Sequence, residues 1–286
     1  MTQSGKQFVK IGPPARLMAP AVARTGPFVP LYLLMLFLIL LLMQAQALKA
    51  ETLTVYTEEF PPFNFTQDGT IQGVSTQVVE AVLEKARLDY QLKSLPWARS
   101  FQEAQSNKNA LIYSITRRQE RESLLNWIGI VIPASHSAYA LQGRTDISLN
   151  SLAEMKNYRI ATQLQGARES YLLQNGFAEQ DLLRLSGKQV LSQQYRMLTL
   201  GRIDIWPAAD AAAYYVVRNQ GDDPDKILKK VYAFSELSQG GYYLAASLST
   251  PTETIALLTK TLEQFKQTND YLQILKQWGL APQQNP

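Results

Sequence analysis

Apolar residues along this chain follow two alternating rhythms, and the switching between them is the main structural signal. Short β-rich runs fall at Leu53–Thr57, Asp89–Ser94, Ala110–Ser114, Ile128–Ile132 and Ser137–Leu141. Between them, Val74–Arg87 sets Val78, Val79, Val82, Leu83 and Ala86 on one helical face. Trp97–Gln105 and Gln119–Leu125 read as shorter helices. A second series begins near Arg144, with strands at Tyr158–Thr162, Asp181–Leu185, Ile203–Trp206 and Ile227–Phe234. Its helices cover Leu149–Lys156, Ala167–Gln174, Gln189–Thr199 and Ala208–Arg218. The chain closes with a strand at Tyr242–Ala246 and helices at Thr252–Lys266 and Asp270–Trp278.

Strand–helix alternation predicts an α/β protein whose sheets are covered by helices. Two such series predict two lobes: residues 51–141 with 242–286 form lobe I, and residues 142–241 form lobe II. The chain is then expected to cross between lobes near Tyr139–Gln142 and Gly240–Tyr243, leaving a cleft suited to a small ligand.

The first fifty residues are different in kind. Lys6, Lys10, Arg16 and Arg24 precede an apolar stretch, Leu31–Met43, and small residues follow it. This pattern predicts a secretory signal peptide over residues 1–50, cut after Ala47 or Ala50, with Met18 as an alternative start. The alternative is an uncleaved anchor, for which the apolar stretch falls short of the roughly 20 residues a spanning helix needs. Either way, the remainder is expected to work outside the cytoplasm, in the periplasm.

Charge follows the same division. Residues 1–50 hold five of the 28 basic residues and none of the 24 acidic ones, leaving 23 basic against 24 acidic groups. The basic character therefore belongs to the leader, and nothing in the balance points to nucleic acid. Cysteine is absent, which excludes disulfides, thiolate nucleophiles and cysteine metal sites. The single histidine, His136, excludes a metal site built on several histidines, and its Pro-Ala-Ser-His-Ser setting predicts a polar loop. No cofactor and no metal are expected.

Several motifs then fall in a recognisable order. Phe60-Pro-Pro-Phe63-Asn-Phe65 leads to Asp68-Gly69 and Gly73-Val74-Ser75-Thr76. Leu95-Pro96-Trp97, Ser114-Ile-Thr116-Arg-Arg-Gln-Glu-Arg121, Trp127 and Gly201-Arg-Ile-Asp204 follow. Over Leu53–Leu280 this set resembles the family 3 extracellular solute-binding proteins of amino-acid-type ABC importers. The resemblance implies a two-lobed, type II periplasmic-binding-protein (venus-flytrap) fold with two hinge crossings.

The resemblance also implies a site. Arg121 matches the arginine that holds the ligand carboxylate, a task suited to a planar guanidinium fork. Ser114 and Thr116 stand at its flanking positions, and Phe60 and Trp97 at those of the sandwiching aromatics, whereas Phe63 and Phe65 read as core. Gly166, Ala167 and Arg168 fall at the turn where helix N–H groups meet the carboxylate, with Ala167 replacing the usual threonine. The ammonium-binding acid belongs at Ala209; Asp210, one residue on, is the candidate for it. Glu58 and Glu59 are further acceptors, and Arg99 is either turned to the opening or solvated.

The implied function is capture of a small polar or zwitterionic solute, an amino acid or a relative, by lobe closure, for delivery to an inner-membrane ABC permease. The protein is expected to be a monomer and not an enzyme. The alternatives are a cyclohexadienyl-dehydratase-like enzyme on the same fold and a stand-alone sensor.

Overall fold

The computed structural model describes residues 52–280, together with Met1, Thr2, Gly12, Tyr32, Met35 and Leu36. But for those six, the expected signal peptide, with Met18 and both cleavage positions, lies outside the described residues. Among the described residues no helix is long and apolar enough to cross a membrane.

The first sheet is built from β1 (Leu53–Thr57), β4 (Tyr90–Ser94), β5 (Ala110–Thr116), β6 (Asn126–Ile132) and β12 (Tyr242–Ala246). Their order is β4-β1-β5-β12-β6, with β1 parallel to β4 and β5, and β12 antiparallel to β5 and β6. β5 is buried along its whole length, as a central strand covered on both faces must be. Between β1 and β4 lies a hairpin of β2 (Phe65–Gln67) and β3 (Thr70–Gln72) that the apolar rhythm does not predict. Its turn is Asp68-Gly69, both at positive φ, the conformation a tight two-residue hairpin requires.

Helix α1 (Val74–Lys85) buries Val74, Val78, Val79, Val82 and Leu83 against this sheet. Gly73 precedes it at φ 122°, where an added Cβ would lie 2.4 Å from the carbonyl oxygen of Phe63. Both the dihedral and the clash with backbone demand glycine. Gly73→Ala is therefore expected to destabilise the protein by about 2–4 kcal/mol in chemical denaturation. A change below about 0.5 kcal/mol would contradict the argument. Helices α2 (Trp97–Ser106), α8 (Thr252–Lys266) and α9 (Asn269–Gln277) complete this half; α2 packs on β1 and β5, and α8 on β6.

The second sheet centres on β7 (His136–Leu141), antiparallel to both β10 (Trp206–Ala209) and β11 (Leu228–Ala233). β8 (Ile160–Gln163) runs parallel to β9 (Leu182–Leu185), and an Ile160–Ile205 bridge ties that pair to the approach of β10. Helices α3 (Ala167–Gln174), α4 (Val190–Thr199) and α5 (Asp210–Asn219) belong to this half, followed along the chain by the one-turn helices α6 (Pro224–Ile227) and α7 (Ser235–Ser238).

Three expectations shift here. The chain leaves the first sheet after Ile132 and pairs in the second from His136, so the change of sheet falls at Pro133–Ser135 and residues 136–141 sit with the second series. Pro133 has no N–H for a ladder, and the buried run that follows finds its partners in β10 and β11. The return runs from Ala233 to Tyr242 and contains Gly241 at φ 111°, where a Cβ would meet the Ile132 carbonyl at 2.5 Å. The helix expected over Gln119–Leu125 is only one 3-10 turn, Gln119–Arg121. Finally, the strand expected at Ile203–Trp206 is displaced to Trp206–Ala209, and α5 starts at Asp210 rather than Ala208, because Trp206–Ala209 pair residue by residue with Tyr139–His136.

Candidate functional site

The carboxyl ends of β1, β5 and β8 point to one place, where open α/β sheets hold their ligands. Glu58, Phe60, Trp97, Ser114, Thr116, Arg121, Gln163, Gly166, Ala167, Arg168 and Tyr242 enclose a cavity of about 20 Å³ there. That volume is comparable to a single water molecule, so the walls are drawn together.

Arg121 is the centre of this group. It is only 3% exposed, and its guanidinium lies 5.0 Å from the ring centre of Trp97 and 5.2 Å from that of Phe101. It donates to the carbonyls of Thr116 (3.2 Å) and Gln165 (3.0 Å). Burial pulls its pKa down to about 10, so it stays charged at neutral pH. Trp97 donates its indole N–H to the same Gln165 carbonyl at 2.7 Å. One backbone oxygen of the second half thus occupies the acceptor position of two first-half donors.

Ser114 reaches the cavity through a β-bulge. Ile115 pairs with Tyr243 and Tyr113 with Leu244, leaving Ser114 between them at φ 58°. Its buried hydroxyl has no hydrogen-bond partner among the described residues. A strained backbone carrying an unspent hydroxyl at a cavity wall is a common mark of a binding position.

On the facing wall, Gly166 precedes α3, whose first residues are Ala167 and Arg168. The approach to this turn is held by Glu169, which accepts from the Gln165 N–H and from Arg184 at 2.6 Å. Arg168 is buried, lies 5.9 Å from the Phe60 ring centre, and donates to His136 Nδ1 at 3.3 Å. His136 is not in a polar loop: it opens β7, is 1% exposed, and its Nε2 stands 3.3 Å from Tyr242 Oη. Burial, with Arg168 beside it, lowers its pKa to about 3, so the ring is neutral.

Glu58 is the carboxyl group of the cavity. Burial raises its pKa to about 7, against the opposing pull of the Gln163 hydrogen bond and of Arg168 and Arg121. Glu59, its neighbour, turns away to Thr66 and Ser94. Arg99 pairs with Glu103 at the surface.

The structure thus brings Phe60, Trp97, Ser114, Thr116, Arg121, Gly166, Ala167 and Arg168 together and leaves Asp210 out, as it does Glu59 and Arg99. Asp210 lies in a separate groove, accepting from Ser135 at 2.6 Å and Lys230 at 2.8 Å. Its place as first residue of α5 aims it there, while Ala209 keeps the preceding strand position without a carboxylate. Gln163, Tyr242 and His136 are the side chains that motif reading did not place in the site. Tyr242 alone had a local signal, the Gly240-Gly241 pair before it at the return crossing.

The model of the bacterial extracellular solute-binding proteins, family 3, matches residues 53–281. A search of curated proteins gives no match. Among solved structures, a histidine kinase sensor domain with similarity to periplasmic binding proteins superposes with TM-score 0.70 at 19% identity, covering 80% of this chain and 96% of that one. An ancestral arginine-binding protein bound to arginine gives 0.67 at 23% identity over 79% and 97% of the two chains. The arginine-, lysine-, histidine-binding protein ArtJ from Geobacillus stearothermophilus gives 0.68 at 21% identity over 82% and 97%. At these identities the likeness establishes the two-lobed α/β fold.

Proposed function

Because the chain belongs to the bacterial extracellular solute-binding proteins of family 3, we propose that it captures a small carboxylate-bearing solute between its lobes. The observation that carries this reading is Arg121: a buried guanidinium against the stacked rings of Trp97 and Phe101, with Ser114 and Thr116 beside it and no carboxylate paired to it among the described residues. An amino acid or related organic acid supplies that carboxylate and displaces the Gln165 carbonyl from Arg121 and Trp97.

Loss of those cross-cleft bonds, with the Gln163–Glu58 bond, opens the lobes. Ligand then bridges the two walls and shifts the population back to the closed form. Residues 52–132 with 242–280 would move as one lobe and 136–233 as the other, the linking segments acting as hinges. The exported, monomeric protein would deliver its solute to an inner-membrane ABC permease.

The test is thermal melting of the purified protein against a panel of amino acids, amines and organic acids. A solute at about 100 times its Kd adds about 2.7 kcal/mol, expected to raise Tm by roughly 5–10 °C. A panel without any shift above 1 °C sinks the proposal. Co-purification with a permease separates import from sensing.

A second reading has one observation behind it. Glu58 is a buried carboxyl at the cavity wall with pKa near 7, the property of a general acid. Consumption of prephenate would favour dehydratase-like chemistry; simple binding without turnover favours the receptor.

A further inference from the structure

The cavity is rich in donors and poor in anions. Two buried guanidiniums, Arg121 and Arg168, line it, and among the described residues neither forms a salt bridge. The nearby carboxylates are engaged elsewhere: Glu120 with Arg118 and Gln174, Glu169 with Arg184, and Asp210 with Lys230. Among the described residues Glu58 is left as the one carboxyl facing two cations. An uncompensated buried charge is expensive, and a ligand of opposite sign relieves it.

The hydrogen bonds around Arg168 sharpen this. A guanidinium has no acceptor, so Arg168 must donate and His136 Nδ1 must accept. The neutral imidazole then carries its proton on Nε2 and donates that N–H to Tyr242 Oη, 3.3 Å away. The phenolic proton of Tyr242 is thereby left unspent, on a side chain that lines the cavity. Arg168, His136 and Tyr242 form a relay in which every oriented bond ends in a donor available to the cavity. The Arg121 side independently offers a guanidinium and the unpartnered Ser114 hydroxyl. An ammonium would meet two cations there and only one carboxyl acceptor.

We propose that this site takes a dicarboxylate, one carboxylate on Arg121 with Ser114 and the second on Arg168 with Tyr242. This deepens the solute-binding reading above and rests on it. Glu58, already inclined to hold a proton, is driven further toward its neutral form beside a dianion, and its O–H donates to the bound solute.

Titration calorimetry on the purified protein tests this with matched pairs: succinate against butyrate, glutarate against pentanoate, adipate against hexanoate, and glutamate against glutamine. The expected result is that in at least one pair the diacid binds tenfold or more tightly than its monoacid mate. Arg168→Gln is expected to shrink that ratio below threefold. Equal or tighter binding of the monoacid mates in all pairs overturns the proposal, as does a ratio that survives intact in a folded Arg168→Gln variant. If that variant does not fold, the pairs measured on the unaltered protein decide alone. Where other panel solutes bind and none of the diacids does, this inference falls and the solute-binding reading stands. Where nothing binds, both fall.

Discussion

Arg121→Met is expected to weaken solute binding by roughly 100- to 1000-fold, about 3–4 kcal/mol, and to abolish the ligand-induced rise in melting temperature. The guanidinium supplies charge and a forked donor inside a water-poor cavity, where a charge-assisted pair is strong. Methionine keeps the packing against the stacked rings of Trp97 and Phe101 but removes both functions. The unliganded fold should survive, because among the described residues the side chain holds no salt bridge and its two donated bonds go to the carbonyls of Thr116 and Gln165. Circular dichroism and calorimetry on the same samples check both halves. A folded variant that responds to ligand as before would remove Arg121 from the site.

Glu58→Gln is expected to stabilise the unliganded protein by about 3 kcal/mol above pH 7, with almost no gain at pH 4.5. In the native fold this carboxyl titrates near 7, against 4.5 for an ordinary glutamate. Between those values the folded state holds a proton that the unfolded state has released. The associated stability is therefore complete below pH 4.5 and is lost as pH rises through 7. Glutamine keeps the shape and stays neutral, so the variant does not lose it. At pH 8 the gain should appear as roughly 5–10 °C in Tm.

His136 works in the opposite sense. Its folded pKa near 3 lies below the ordinary 6.5, so the stability it confers is lost as pH falls from 6.5 toward 3. Over pH 4.5–6.5 the two slopes oppose each other and the native curve is flattened. The variant unmasks the histidine, and its stability should climb with pH across that window. Parallel native and variant curves from pH 4.5 to 8 would refute the buried-acid assignment.

How much of this was legible in the residues differs from group to group. Arg121, Ser114 and Thr116 were named from the family resemblance, whose motif a single strand and the turn after it carry at fixed spacing, and the fold gathers them at one cavity. Phe60 and Trp97 came from the same resemblance, each standing beside a proline-marked turn or helix that fixes its place in the motif. The Asp68-Gly69 hairpin went unread, because its two strands are too short to register in the apolar rhythm. Glu58 and Glu59 could not be told apart by sequence, since adjacent residues face opposite ways and only the fold decides which is buried. His136 and Tyr242 are 106 positions apart, and no local pattern joins them. Asp210 was misplaced by the one-residue difference between a strand end and a helix start.

The sequence by itself determined the α/β alternation, the two series of elements, the near-neutral charge beyond residue 50 and the arginine motif at Arg121. These are properties of short stretches, where periodicity and spacing act directly. Only the tertiary structure decided where the chain changes sheets, which carboxyl enters the cavity, and that Arg168, His136 and Tyr242 form one relay. Those outcomes depend on burial and on pairing between distant segments, and long-range packing is not written in any local stretch of residues.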